Sequence, residues 1–119
     1  MCLLENGTQM WYNELDKNYK IGGAYMAAVK VTILKIVDTS YPIFVEFELV
    51  DAKGASHYFI DKVPVVSGDD ELVPPCVGYM RCNIINETEN TFIIDTALPD
   101  DIASKDGKYV FEVNKDRII

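Results

Sequence analysis

His57 is the only histidine in 119 residues. With Cys82 and Asp61 it supplies the residue types of a base, a nucleophile and an orienting acid. Residue types alone do not make such a set, because a catalytic trio needs hydrogen-bond geometry. One histidine, one cysteine and an acid occur together in most small chains. Cys82 reads better as a core residue, and no catalytic residue is assigned. Zinc requires paired Cys or His ligands. Here His57 stands alone, and Cys76 and Cys82 share one expected strand. Six extended residues hold those two thiols roughly 20 Å apart, beyond disulfide reach. Asp69-Asp70-Glu71 lacks the alternate spacing and the glycine of a calcium loop. No glycine-rich phosphate loop occurs. Neither a metal nor a cofactor is expected.

What remains is surface chemistry. Glu46 and Glu48 interrupt an apolar series, so both face away from the core that the series builds. Across the expected hairpin they neighbour Tyr58 and Ile60, and Phe44 shares that surface. An acidic and aromatic sheet face suits a basic protein partner. Asp69, Asp70 and Glu71 form a second acidic stretch, whose plain reading is a solvated loop. The candidate binding residues are therefore Glu46, Glu48, Tyr58, Asp69, Asp70 and Glu71. A competing arrangement lays the N-terminal Trp11 and Tyr12 over the hairpin face. A different class of function uses Tyr58, Tyr79 and Phe59 as a stacking platform for a small ligand or a single-stranded oligonucleotide.

The element that positions these residues is a hairpin over residues 41–67. Ile43, Val45, Phe47 and Leu49 alternate with Glu46 and Glu48, the period of a half-buried strand. Asp51-Ala52-Lys53-Gly54 reads as a type I turn, with Gly54 where a positive φ makes a bulge. That register sets Phe47 opposite Phe59 and Leu49 opposite His57. A plain four-residue loop would set Phe47 opposite Tyr58 and exchange the faces of the second strand. The glycine favours the bulged register, and Pro64 ends the strand.

Further strands follow the same pattern. Residues 26–37 alternate, but the apolar phase switches between Ile33 and Leu34, which predicts a bulge. Pro74-Pro75 predicts an extended approach to a strand over 76–85, with Cys76, Gly78, Met80, Cys82 and Ile84 on its apolar face. Residues 86–90 make a turn, 91–96 a strand, and 98–101 a loop with one helical turn capped by Asp100. Asp106-Gly107 turns into a strand over 108–113, an edge through which a homodimer could form. The last five residues read as a short strand or a frayed end. The fold expected is all-β, a small six-stranded barrel or roll, OB-like or SH3-like, with no long helix.

Composition narrows the partners. Lys plus Arg total 11 against 19 Asp plus Glu, a net charge of −8. That disfavours nucleic acid as the main partner. Its bland consequence is solubility, and its functional one is steering toward a basic protein. An odd count of 3 cysteines gives no disulfide framework, which fits a reducing cytoplasm. No apolar run reaches membrane-spanning length, and none marks a signal peptide. Residues 1–25 form an N-terminal extension outside the single β-domain of residues 26–119. The extension reads either as a flexible arm or as an artefact of start-site choice, since Met26 opens a patterned strand.

The pattern Pro42-x-x-Val45, Leu49-x-Asp51-Ala52-x-Gly54, Phe59-x-x-Lys62-x-Pro64-Val65-Val66-Ser67 and Pro75-x-x-Gly78-x-x-x-Cys82 resembles a group of small, stand-alone, uncharacterised bacterial β-proteins. The resemblance covers roughly residues 26–115. Much of the pattern is turn and strand-end chemistry. Small acidic bacterial β-domains of this kind are often antitoxins or immunity proteins. The resemblance therefore implies a cytosolic, non-enzymatic, protein-binding role, with an immunity-type inhibitor of a basic toxin as its concrete form.

Overall fold

Alternating side chains give each long segment one face to bury, and the chain meets that demand with a curled sheet. The computed structural model describes residues 20–21, 24–69 and 71–119. The strands are β1 (Lys20–Ile21), β2 (Ala24–Asp38), β3 (Phe44–Val50), β4 (Ser56–Lys62), β5 (Cys76–Glu87), β6 (Thr91–Asp95) and β7 (Val110–Asn114). They pair antiparallel in the order β4-β3-β2-β5-β6-β7, with β1 added to β2. Short 3-10 turns follow β4 at Val63–Val65 and β7 at Lys115–Arg117. The fold is all-β: six strands form a curled half-barrel, and β1 adds a short seventh strand to the same sheet. Among the described residues no helix is long and apolar enough to cross a membrane.

β2 is the axis of the sheet. It pairs with β5 from Tyr25 to Ile33 and with β3 from Thr32 to Asp38. Where it changes neighbour, the register with β3 steps from Ile33↔Phe47 to Lys35↔Glu46, so Leu34 is the extra residue of a bulge. This is the site of the phase switch in the sequence. A second irregularity falls between Ile36 and Asp38, which the pattern does not announce. Pairing reaches Lys20–Ile21, so the strand structure crosses the boundary drawn at residue 26. Residues 1–19, which include Cys2, Trp11 and Tyr12, lie outside the described residues, as do Gly22, Gly23 and Asp70.

The β3–β4 hairpin has the bulged register. Phe47 pairs with Phe59 and Leu49 with His57, and Gly54 sits at φ 83°. The Asp51 Oδ1 accepts from the backbone N–H groups of Lys53 and Ala55, which fixes the turn. Inward-facing residues then converge. The Phe47 and Phe59 rings stack at 5.1 Å, and Phe111 from β7 meets Phe59 edge-on at 5.7 Å. Both Phe47 and Phe59 are fully buried, and each such side chain contributes about 2–3 kcal/mol by burial.

Closure of the curl is partial. β4 and β7 come together through the Phe59–Phe111 contact but share no ladder. Two backbone hydrogen bonds pin the seam, Ala52 N–H to the Glu112 carbonyl at 2.8 Å and Lys105 N–H to the Tyr58 carbonyl at 2.8 Å. The tail closes the other side, where Ile118 bridges Val29 and the Ile119 N–H reaches the Ala28 carbonyl. Three expectations are corrected. Residues 98–101 turn without a helix, and Asp101 takes φ 54° there. Pro74-Pro75 bends instead of running extended into β5. The last strand begins at Val110 and not at Lys108, and its Glu112 carbonyl accepts the Ala52 N–H.

The connection from β4 to β5 passes under the end of the half-barrel, where the Val66 carbonyl accepts the Tyr79 N–H at 2.9 Å. Only glycine fits beneath it. A Cβ on Gly78 would lie 2.7 Å from the Val66 oxygen and 3.0 Å from Ile33 Cδ1. Gly78→Ala should therefore destabilise the fold by about 1–3 kcal/mol in urea unfolding. Gly68→Ala, with nothing within 4 Å, should stay within about 0.5 kcal/mol of the parent. Equal stabilities for the two variants would contradict this packing.

Candidate functional site

β3 and β4 carry the outward residues in rungs. Glu48 pairs with Tyr58 and Glu46 with Ile60. The rungs continue across the sheet, from Glu48 to Thr32 on β2 and from Thr32 to Val77 on β5. Lys30 pairs with Tyr79 beside them. The outer face thus presents Tyr58 and Ile60, exposed to 42% and 44%, and Val77 and Tyr79, exposed to 52% and 42%. Glu46, Glu48 and Tyr58 are brought together as expected. Asp69 and Glu71 are exposed, and their hydrogen bonds stay inside their own loop: the Glu71 N–H donates to Asp69 Oδ1, and the Asp69 N–H to Ser67 Oγ. Among the described residues, no hydrogen bond joins that loop to the hairpin acids. Asp70 lies outside the described residues.

The two hairpin acids differ in how much charge they offer. Glu46 accepts from Lys105 Nζ at 2.5 Å and sits 3.5 Å from Lys35 Nζ. The Lys105 ammonium, with Lys35 in support, holds its carboxyl below the ordinary range. Its charge is compensated internally. Glu48 accepts from the Ser56 hydroxyl only, among the described residues. Lys105 is 59 residues from Glu46 in sequence, so no local signal announces the pair. The guanidinium of Arg81 grips Asp100 through two hydrogen bonds of 3.1 and 2.6 Å, beside Tyr79 on the same face.

The trio weighed for catalysis does not assemble. His57 Nε2 lies 2.8 Å from Asp51 Oδ2, not on Asp61, and its ring meets Phe111 edge-on at 4.9 Å. Asp61 instead accepts from the Lys62 backbone N–H. Cys82 is wholly buried, and burial pushes its thiol up to about 12. A thiol so seldom ionised is a poor nucleophile at neutral pH. The bulged register places His57 opposite Leu49, two residues before Asp51, so this pairing was within reach of the sequence. Phe59 is fully buried on the opposite face from Tyr58, so it cannot join a stacking platform. Tyr58 and Tyr79 do share the outer face.

Searches against family models, curated proteins and solved structures find no match to this chain.

Two measurements follow from the chemistry of the site. Asp51 is held below its ordinary value near 3.8, first by His57 and then by the Ala55 and Lys53 N–H groups. A depressed carboxyl contributes stability above its unfolded pKa and loses it as pH falls through the folded one. Unfolding at neutral pH and at steps below about pH 4 should therefore show a steeper acid loss in the parent than in Asp51→Asn; identical acid limbs would refute the pair's role. In a Cys2→Ser background, Cys76 should react with a thiol reagent first and Cys82 only on unfolding. Fast labelling of native Cys82 would contradict its burial.

Proposed function

We propose that this chain is a non-enzymatic protein-binding domain that acts in the cytoplasm, in the manner of an immunity-type inhibitor of a basic bacterial toxin. The observation that carries this reading is the outer face of the sheet. Tyr58 and Ile60 on β4 and Val77 and Tyr79 on β5 stand exposed on one face of the sheet, with Glu48 of β3 and Thr32 of β2 in the rung between Tyr58 and Val77. Tyrosine and aliphatic side chains inside a polar rim are the composition of a recognition surface. The formal charge of −8 adds steering toward a basic surface. Under this reading Tyr58 and its apolar neighbours supply contact area, while Glu48 and the loop acids Asp69, Asp70 and Glu71 take the place of phosphate charge on the partner's basic site.

The placement of Tyr58 and Tyr79 on one face, with Lys30 beside Tyr79, also favours a second reading, in which single-stranded oligonucleotides or a small ligand stack there. Affinity capture from native lysate with the full chain as bait and a salt-stepped elution separates the two. A basic protein released by salt is the expected result. Nucleic acid or a small molecule in the eluate would replace the protein reading with the second one. With the captured protein in hand, Tyr58→Ala with Tyr79→Ala should weaken binding by about tenfold or more. Replacing Asp69, Asp70 and Glu71 by Ser should slow association and flatten its salt dependence. Unchanged association would remove that loop from the interface.

A further inference from the structure

β2 outlasts one of its neighbours. Its ladder with β5 stops at Ile33↔Cys76, and the two residues before Cys76 are Pro75 and Pro74, which have no N–H to give. β2 nevertheless runs on to Asp38, held there by β3 alone among the described residues. Among the described residues, 34–38 therefore have one paired edge and one edge with no strand against it. Large apolar side chains crowd this end. Ile36 and Val37 are exposed to 36% and 48%, Tyr41 in the following turn to 89%, and Val73 to 84%.

Among the described residues, the charge here that lacks an ion pair is acidic. Lys35 is engaged with Glu46. Asp38 holds the turn through Oδ1, which accepts from the Ser40 N–H at 2.9 Å and from the Ser40 hydroxyl. Asp38, Asp69 and Glu71 form no ion pair within the described residues. The loop that bears Asp69 and Glu71 leads through Val73 and the prolines into Cys76. It joins the sheet at the level where β2 runs on without β5.

We propose that residues 34–38 of β2 are an acceptor edge for an extended basic segment of a protein partner, which adds to the sheet as a further strand. The inference rests on the protein-binding reading and specifies its mode. Main-chain hydrogen bonds to the open edge supply affinity, and alternate side chains supply selectivity. Apolar side chains of the segment meet Ile36, Val37 and Val73. Its lysines or arginines face Asp38, Asp69 and Glu71. A helical partner would leave the edge N–H and C=O groups unmet. A second copy of this chain would bring acid against acid. The bulges at Leu34 and near Val37 twist the edge, which limits the added strand to a short one and discourages flat stacking of sheets.

The test uses the full chain, labelled with nitrogen-15 and titrated at low salt with a short capped peptide alternating lysine and valine. Amide shifts should concentrate on residues 34–38 and Val73. The same peptide with alternate backbone amides N-methylated should bind about tenfold more weakly, the loss of roughly one to two hydrogen bonds. Asp38→Lys should weaken binding by a similar factor. Should that variant not fold, Asp69→Lys with Glu71→Lys tests the same charge on an exposed loop. Equal binding of the methylated peptide, or no shift at these residues, would overturn the edge inference. Shifts confined to Tyr58 and Ile60 would overturn it while leaving the outer-face reading intact, and the lysate capture judges that reading on its own.

Discussion

One strand has to serve two neighbours that barely overlap, and the rest of the fold follows from how it does so. β2 faces β5 along its first half and β3 along its second, and only Thr32 and Ile33 pair with both of them. A strand that passes from one neighbour to another in a curled sheet must turn its inward side chains to follow the core. The extra residue at Leu34 makes that turn. Before it, Val29, Val31 and Ile33 point inward and are wholly buried; after it, Ile36 stands opposite buried Val45 but reaches the end of the core and stays partly exposed. The bulge thus decides where the core stops. Beyond that point the backbone is paired and extended but has little to bury.

Closure is the second constraint, and it is met with side chains and loops in place of a ladder. Phe111 packs on Phe59 and His57 across the seam between β4 and β7. Around that apolar contact sit the two pinning hydrogen bonds from Ala52 and Lys105. The Asp51 carboxylate ties both halves of this arrangement, since one oxygen shapes the hairpin turn and the other holds His57. Lys105 does similar double service, with its backbone on Tyr58 and its ammonium on Glu46. A loop that pins an edge in this way also covers part of it, which protects β4 from indiscriminate strand pairing. Asp61 adds to that cover by accepting the Lys62 N–H.

Local chemistry was legible in the sequence, and long-range pairing was not. Gly54 specified a positive φ, and from it the hairpin register and both faces of β4 could be read. The phase switch at Ile33 and Leu34 located the bulge, because apolar periodicity reports which side of a strand is wet. The faces of β5 were equally plain. The partners of charged groups were not. Lys105 reaches Glu46, and Arg81 reaches Asp100, only because the sheet curls, and curvature leaves no mark on a single strand's pattern. The same blindness placed Phe59 on a stacking platform with Tyr58, although adjacent residues of a strand must face opposite ways.

The structure sorts the acids in a way that composition could not. Glu46, Glu87 and Asp100 pair with lysine or arginine, and Asp51 pairs with His57. Glu112 accepts from Thr91. These carboxylates are occupied in holding strands and loops to one another. The Asp38 and Asp69 carboxylates accept only within their own turns, from Ser40 and from the Glu71 N–H, and the Glu71 carboxylate accepts no hydrogen bond among the described residues. Asp38 ends the stretch of β2 that has outrun β5, and Asp69 and Glu71 lie on the loop that leads into β5. Concentrated charge of one sign raises the local potential far more than the same charge spread evenly. Among the described residues, exposed Val37 and Val73 lie on the segments that meet where the β2–β5 ladder stops. The end of β2 thus combines a backbone paired on one side among the described residues with apolar side chains that the core does not reach.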